Sequence, residues 1–416
     1  MSRFQAVFVS VSLALGAVPA LAQPLSLEDA LRSGEGQSPR LAAQRSMVSS
    51  SEAQVGRAAE LPDPRLRLGI ENLPVTGEDR FRYGRDSMTA GVVAWSQEFP
   101  NSAKREARNL RAERMRDVEG ANLGLQRAAV RRDIATAWLE AYYAERARDA
   151  LQRLAKQFEL QVQAVAAGIA RGRQTAAESF MLRQTLEQAN DRAIEQERMA
   201  ARARIILASS IGDGANRPLG EPPDTTRFAR AREDLLAQLA EHPQLRVLDQ
   251  REHLARAEVD LARSMRRSDW MLEVEYGQRR PYFDNMLSVM VALDLPWQAE
   301  RRQDRDIASR LAELEQARAL REDARRMHEA EVRGWLADFD AAARRIERLE
   351  RVLLPLARER REVALAAYKG GRGELAPVLE AERAATETEL GLVQALAERA
   401  KAWASLNFLY AQGSGQ

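Results

Sequence analysis

Few residues of this chain have the type and spacing to do chemistry. Its three histidines, His242, His253 and His328, are scattered, and it has no cysteine. A zinc or thiolate site therefore lacks ligands, and each histidine reads as a surface or turn residue. No G-x-x-x-x-G-K stretch is present to cradle phosphates, and no acid–base cluster converges. The eleven methionines are dispersed; Met286 and Met290, four apart in an alternating segment, read as the wall of a sheet. These features argue against an enzyme, a resident metal and a cofactor. The positions that stand out are two glycines, Gly172 and Gly371, each in a turn that follows a very long helical segment.

Those turns belong to a sequence that repeats itself. Each half reads helix, strand, charged loop, strand, long helix, glycine turn, returning helix. Ser38-Pro39-Arg40-Leu41 is answered by His242-Pro243-Gln244-Leu245, and Glu98-Phe99-Pro100 by Asp294-Leu295-Pro296. Ile169-Ala170-Arg171-Gly172 is answered by Tyr368-Lys369-Gly370-Gly371, in the same order and at a nearly constant offset. The halves span 23–211 and 227–411, joined by a Gly- and Pro-rich linker at 212–226 and followed by a tail at 412–416. In the first half the strand pair falls within 64–98, the long helix within 102–167 and the return helix within 176–210. In the second these are 270–295, 299–368 and 374–410.

The long segments are rich in Ala, Arg, Glu and Leu, all good helix formers, and Asn101 or Ser102 can cap the first. Some 65 residues make roughly 100 Å of helix, too long for an ordinary globular domain. Ile307, Leu311 and Leu314, and further on Ile346, Leu349, Leu353 and Leu356, carry coiled-coil spacing. Pro355 lies inside the second long segment and predicts a kink or break there. In the strand segments Leu66, Leu68 and Ile70 alternate with charged residues, Leu272, Val274 and Tyr276 with Glu273 and Glu275, and Leu287 to Leu293 with Ser288, Met290 and Ala292. Such alternation suits a half-buried sheet or a barrel between lipid and water, and lengths near ten residues fit tilted membrane strands. Four strands cannot close a membrane barrel alone. A homotrimer supplies 12 strands (3 × 4), an even number within the known range.

The first 22 residues read as a signal peptide: Arg3 is the positive start, Phe4 to Val18 is mostly apolar, and Ala20-Leu21-Ala22 is a cleavage site before Gln23. That start carries no cysteine for a lipid anchor. No other stretch approaches the ~20 apolar residues of a membrane helix, so a spanning mature chain would do so as a closed barrel. Lys+Arg 63 nearly balance Asp+Glu 61, with signs alternating along helices as in Glu347-Arg348-Leu349-Glu350-Arg351. That is not the segregated basic face of a nucleic-acid binder.

From Leu25 to Tyr410 the sequence resembles the TolC-type outer-membrane efflux proteins. The two Pro-Arg/Gln-Leu segments, Phe99-Pro100, Leu295-Pro296 and the Tyr368-x-x-Gly371 turn carry the resemblance. Leu61-Pro62-Asp63-Pro64 and Glu71-Asn72-Leu73-Pro74-Val75-Thr76-Gly77 are most similar to the heavy-metal branch, which serves cobalt-zinc-cadmium and copper-silver exporters. The resemblance implies a mostly α fold with a β-barrel portion: a homotrimeric 12-stranded barrel in the lipid of a Gram-negative outer membrane, continued by a helical coiled-coil tunnel through the periplasm. It implies two partners, a periplasmic adaptor (membrane fusion) protein and an inner-membrane pump of the RND class.

The family closes its tunnel where the helical hairpins converge. Tyr368 matches a tyrosine of that closure and Glu178 stands at the position of its carboxylate partner, which would give a phenol–carboxylate bond between hairpins. Glu380 matches an acidic aperture position, which threefold symmetry would make a ring of carboxylates that attracts cations. The chain departs from the family at Pro377, at Ala177 and at Gly373, where Arg372 is the neighbouring cation. The function implied is a passive export duct for heavy-metal cations. The alternatives are the same duct serving drugs or secreted proteins, and a periplasmic coiled-coil adaptor or scaffold, which would lack the two strand pairs.

Overall fold

The computed structural model describes residues 23–169, 174–280 and 283–409. The expected signal segment, Gly172 and the tail 412–416 lie outside them. In chain order the helices are α1 (Leu27–Gln37), α2 (Pro39–Ala58), α3 (Ser102–Ile169), α4 (Ala176–Ile211), α5 (Arg232–Ala237), α6 (Pro243–Ser264), α7 (Gln303–Arg348), α8 (Leu354–Lys369) and α9 (Leu375–Asn407). The strands are β1 (Arg65–Glu71), β2 (Ala90–Phe99), β3 (Trp270–Gln278) and β4 (Met286–Leu293). They form one antiparallel sheet in the order β1-β2-β3-β4, with both outer edges open. The mostly helical fold with its small sheet is the TolC-like architecture expected. Among the described residues no helix is long and apolar enough to cross a membrane.

The sheet has two unlike faces. Leu66, Leu68 and Ile70 of β1 share a face with Val93 and Trp95 of β2, Val274 and Tyr276 of β3, and Leu287, Val289 and Val291 of β4. Most of these side chains lie open to the surroundings. On the other face Arg67 reaches across the small Ala94 of the intervening strand. It donates to Glu273 at 3.0 Å, to Glu275 at 2.6 Å and to Glu71 of its own strand at 2.9 Å. One face therefore suits lipid and the other water.

The sheet hands over to the helices through Asp269. Its carboxylate accepts from the Asn101 backbone N–H at 2.8 Å and pairs with Lys104, while Asn101 Oδ1 accepts from the Lys104 N–H at 2.8 Å and caps α3. From there α3 runs 68 residues without interruption, about 100 Å.

The main core girdles the middle of α3. Trp138, Ile134 and Leu139 of α3 pack with Leu31 of α1, Leu207 of α4, Val332 of α7 and Leu406 of α9. Gly34 lies so close to Ile134 that a Cβ there would collide with it. Trp138 Nε1 donates to the Leu25 carbonyl at 3.1 Å, and Leu25 pairs with Leu219 as a short parallel bridge. The segment expected as a linker is thus stitched to the stretch just before α1, and Gly212–Asn216 forms a 3-10 turn.

The second long helix is interrupted just ahead of Pro355, where a kink or break was expected: α7 ends at Arg348, a π turn occupies Leu349–Leu353, and α8 follows with Pro355 in its first turn. The wider turn admits the pyrrolidine ring and leaves its missing N–H without a bond to break. The histidines depart only in part from the surface or turn positions expected: His253 is half-exposed and His242 stands at the turn before α6, but two of the three are packed inward. His242 and His328 are buried and their rings stack with centroids 4.0 Å apart. His242 Nδ1 accepts from the Gln244 N–H at 3.2 Å and so caps α6. His328 Nδ1 lies 2.8 Å from Glu331.

Candidate functional site

The hairpins α3–α4 and α8–α9 meet at the end of the molecule farthest from the sheet. Phe158 and Leu154 of α3, Leu182 of α4, and Leu375 and Leu379 of α9 form a second core there, with Tyr368 of α8 packed against it. The stripe on α9 follows from its spacing, since residues three and four apart share a helix face. Gly371 closes the α8–α9 turn at φ 70°, where a side chain would be strained, and the Arg372 N–H is bonded back to the Ala367 carbonyl at 3.0 Å.

Glu178, Tyr368, Arg372, Gly371 and Glu380, singled out by sequence, gather at this tip, but the expected pair bonds differently. Glu178 turns into its own helix. Its carboxylate accepts from the Thr175 N–H at 2.8 Å, and the Thr175 hydroxyl accepts from the Glu178 N–H at 3.3 Å, a complete capping box. The Tyr368 hydroxyl is taken instead by Gln174, whose side-chain amide donates to it across the hairpins. Within one chain the phenol–carboxylate bond is therefore not made. Glu380 is exposed and accepts from Arg360 of α8 at 2.9 Å, so its charge is balanced locally. Arg372 is an exposed turn residue.

Sequence reasoning missed the densest polar contact of the tip. Glu382 of α9 is 2% exposed. It accepts from Gln157 at 2.5 Å and from Gln161 at 2.9 Å, both on α3. Burial pushes its carboxyl above the usual range, against the opposing effects of the two glutamines and Arg361. A signal was present: Glu382 continues the spacing of Leu375 and Leu379, a charged residue at a core position. Flanking pairs also join the hairpins. Arg153 bonds Glu389 at 2.7 Å, Arg192 bonds Glu387 at 3.1 Å, and Arg383 donates to Gln188 at 2.6 Å. Among the described residues no group of three potential metal-binding side chains converges.

No protein-family model and no curated relative matches the sequence. Solved structures do match its fold. The outer membrane protein VceC of Vibrio cholerae aligns over 92% of this chain and 95% of its own with a TM-score of 0.75 and 17% identity. The CmeC outer membrane channel of Campylobacter jejuni aligns over 99% and 95%, with a TM-score of 0.78 and 11% identity. The open state of the MtrE outer membrane channel of Neisseria gonorrhoeae aligns over 93% and 89%, with a TM-score of 0.73 and 18% identity. At such identities the likeness is one of fold: this chain has the architecture of single subunits of these channels.

Proposed function

We propose that this protein is the outer-membrane channel subunit of a tripartite RND-type efflux system, and that it conducts its substrates passively. The observation that carries this reading is the open four-stranded sheet with one apolar face bare. A single chain leaves that face and both sheet edges unsatisfied, a costly arrangement in water or in lipid. Three copies joined edge to edge close a 12-stranded barrel (3 × 4 strands) with the apolar face toward lipid. The helices then continue the barrel as a tunnel into the periplasm, where a periplasmic adaptor and an inner-membrane pump meet the hairpin tips. The chain follows the named channels over nearly its whole length, which supports the same localisation and assembly.

Heavy-metal cations are the proposed cargo. The segments Leu61 to Pro64 and Glu71 to Gly77 support this, and so does the polar face of the sheet. There three carboxylates surround the single guanidinium of Arg67, and threefold repetition makes a lining that favours cations. At the tip, Tyr368, Glu178, Arg372 and Glu380 are the proposed latch and aperture residues, with Gly172 and Gly371 at the turns. In this chain the Tyr368 bond runs to Gln174.

A deletion strain, with and without this protein restored, should be grown across copper, silver, zinc, cobalt, cadmium and one hydrophobic drug. Rescue against one or two metals is the expected result and names the cargo. Rescue against the drug alone would keep the duct and overturn the metal assignment.

A further inference from the structure

The contact around Glu382 is incomplete in an informative way. The Gln161 amide points its Nε2 at both carboxylate oxygens, 2.9 Å from each. Its own Oε1 is buried with no hydrogen-bond partner. An ionised carboxylate has nothing to donate and cannot satisfy that oxygen. A protonated carboxyl can. A small rotation of the Gln161 amide then gives a two-point pair, in which Glu382 O–H donates to Gln161 Oε1 and Gln161 Nε2–H donates to the other Glu382 oxygen. The Gln157 amide caps the same oxygen from one helical turn away. In that state every buried polar atom of the trio is used, as buried groups require.

We propose that Glu382 is a proton-operated lock: protonated, it fastens the α8–α9 hairpin to α3, and losing its proton releases the hairpin. This rests on the channel reading given above and adds a control to it. The charged groups packed around the site are already engaged. Arg153 on α3 is paired with Glu389, Arg192 on α4 with Glu387, and Arg360 on α8 with Glu380. Arg383 on α9 is held by Gln188 of α4. Lys156 and Glu159 of α3 and Arg183 and Glu187 of α4 are exposed. Arg361 on α8 does act on Glu382 and favours its ionised form, but burial outweighs it. A carboxyl whose proton is held more tightly in the closed contact than in the open one stabilises the contact at low pH. That stabilisation fades as pH rises through the raised value. Acid therefore keeps the tip closed and alkali loosens it.

The absence of native cysteine makes the test direct. Spin labels at Lys156→Cys on α3 and Val363→Cys on α8, both exposed positions, report the separation of the hairpins in the full-length detergent-solubilised protein. The distance should lengthen as pH is raised between about pH 5 and pH 9, with a midpoint above the ordinary carboxylate range. Glu382→Gln keeps the size and offers Gln161 both a donor and an acceptor, so it should hold the short distance throughout. A wild-type distance that does not move, or one that lengthens equally in Glu382→Gln, would overturn the lock. Conductance of the same samples in planar bilayers is read separately. Its absence would count against the duct, while the distances still decide the lock.

Discussion

The two halves of the chain carry the same elements in the same order, yet their hairpins are built for different work. In the first, α3 is one continuous helix with Trp138, Leu139 and Phe158 among its buried residues, and its partner α4 starts in a complete capping box. In the second, α7 buries Val332, Leu336 and Ile346, but beyond the π turn α8 has no buried residue. The turn that follows relies on glycine rather than on a cap. The first hairpin is anchored along its length. In the second, α8 buries nothing beyond Leu349, and the hairpin is held there through α9, whose Leu375 and Leu379 enter the tip core with Tyr368 packed against it. The asymmetry lies in one helix, and the π turn before Pro355 marks where its buried side chains end.

This contrast can be broken most forcefully at Trp138. Trp138→Ala removes a fully buried ring and one of the two donors to the Leu25 carbonyl, which keeps the Gly220 N–H. It should cost about 3–5 kcal/mol in thermal or urea unfolding followed by circular dichroism. Val363→Ala on the exposed surface of α8 should stay within about 0.5 kcal/mol. Similar losses at the two sites would erase the distinction.

The next effect depends on pH. Burial and the neighbouring His328 hold His242 down to about 3, so the folded state refuses a proton that the unfolded chain accepts near 6.5. Stability is then fully present above that value and declines as pH falls from 6.5 toward 3, by a few kcal/mol at about 1.4 kcal/mol per pKa unit. Unfolding midpoints measured across this range should show the slope. His242→Asn, which retains a capping acceptor, should flatten it.

Smaller still is Thr175→Ala. It removes the cap of α4 at a cost of about 1 kcal/mol, and hydrogen exchange should quicken at the first turn of that helix alone. Arg192→Ala breaks one exposed pair with Glu387 and should change stability by less than about 1 kcal/mol, as read by thermal unfolding. A larger loss would mean that the flanking pairs, and not the buried contact, hold the hairpins together.

Much of this was legible in the sequence because it rests on periodicity. Leu66 to Ile70 and Leu287 to Leu293 announced a two-faced sheet, and the proline-free run after Ser102 announced one long helix. Pro355 announced a break but not its form, because whether a proline kinks a helix or is absorbed by a π turn depends on the packing of Ile346 and Leu349. The stacking of His242 on His328 was hidden, since it joins residues far apart in sequence. The tip residues were found by position, but not their bonds. Glu178 has a nearer partner in Thr175, and Gln174, one residue before it, takes the Tyr368 hydroxyl.

Conductance tests the proposed channel most directly. Purified and unheated, the protein should size as a trimer in mild detergent and insert into planar bilayers as discrete channels, one conductance step per trimer. A folded monomer, or a trimer that inserts and passes no ions at any pH, would contradict it.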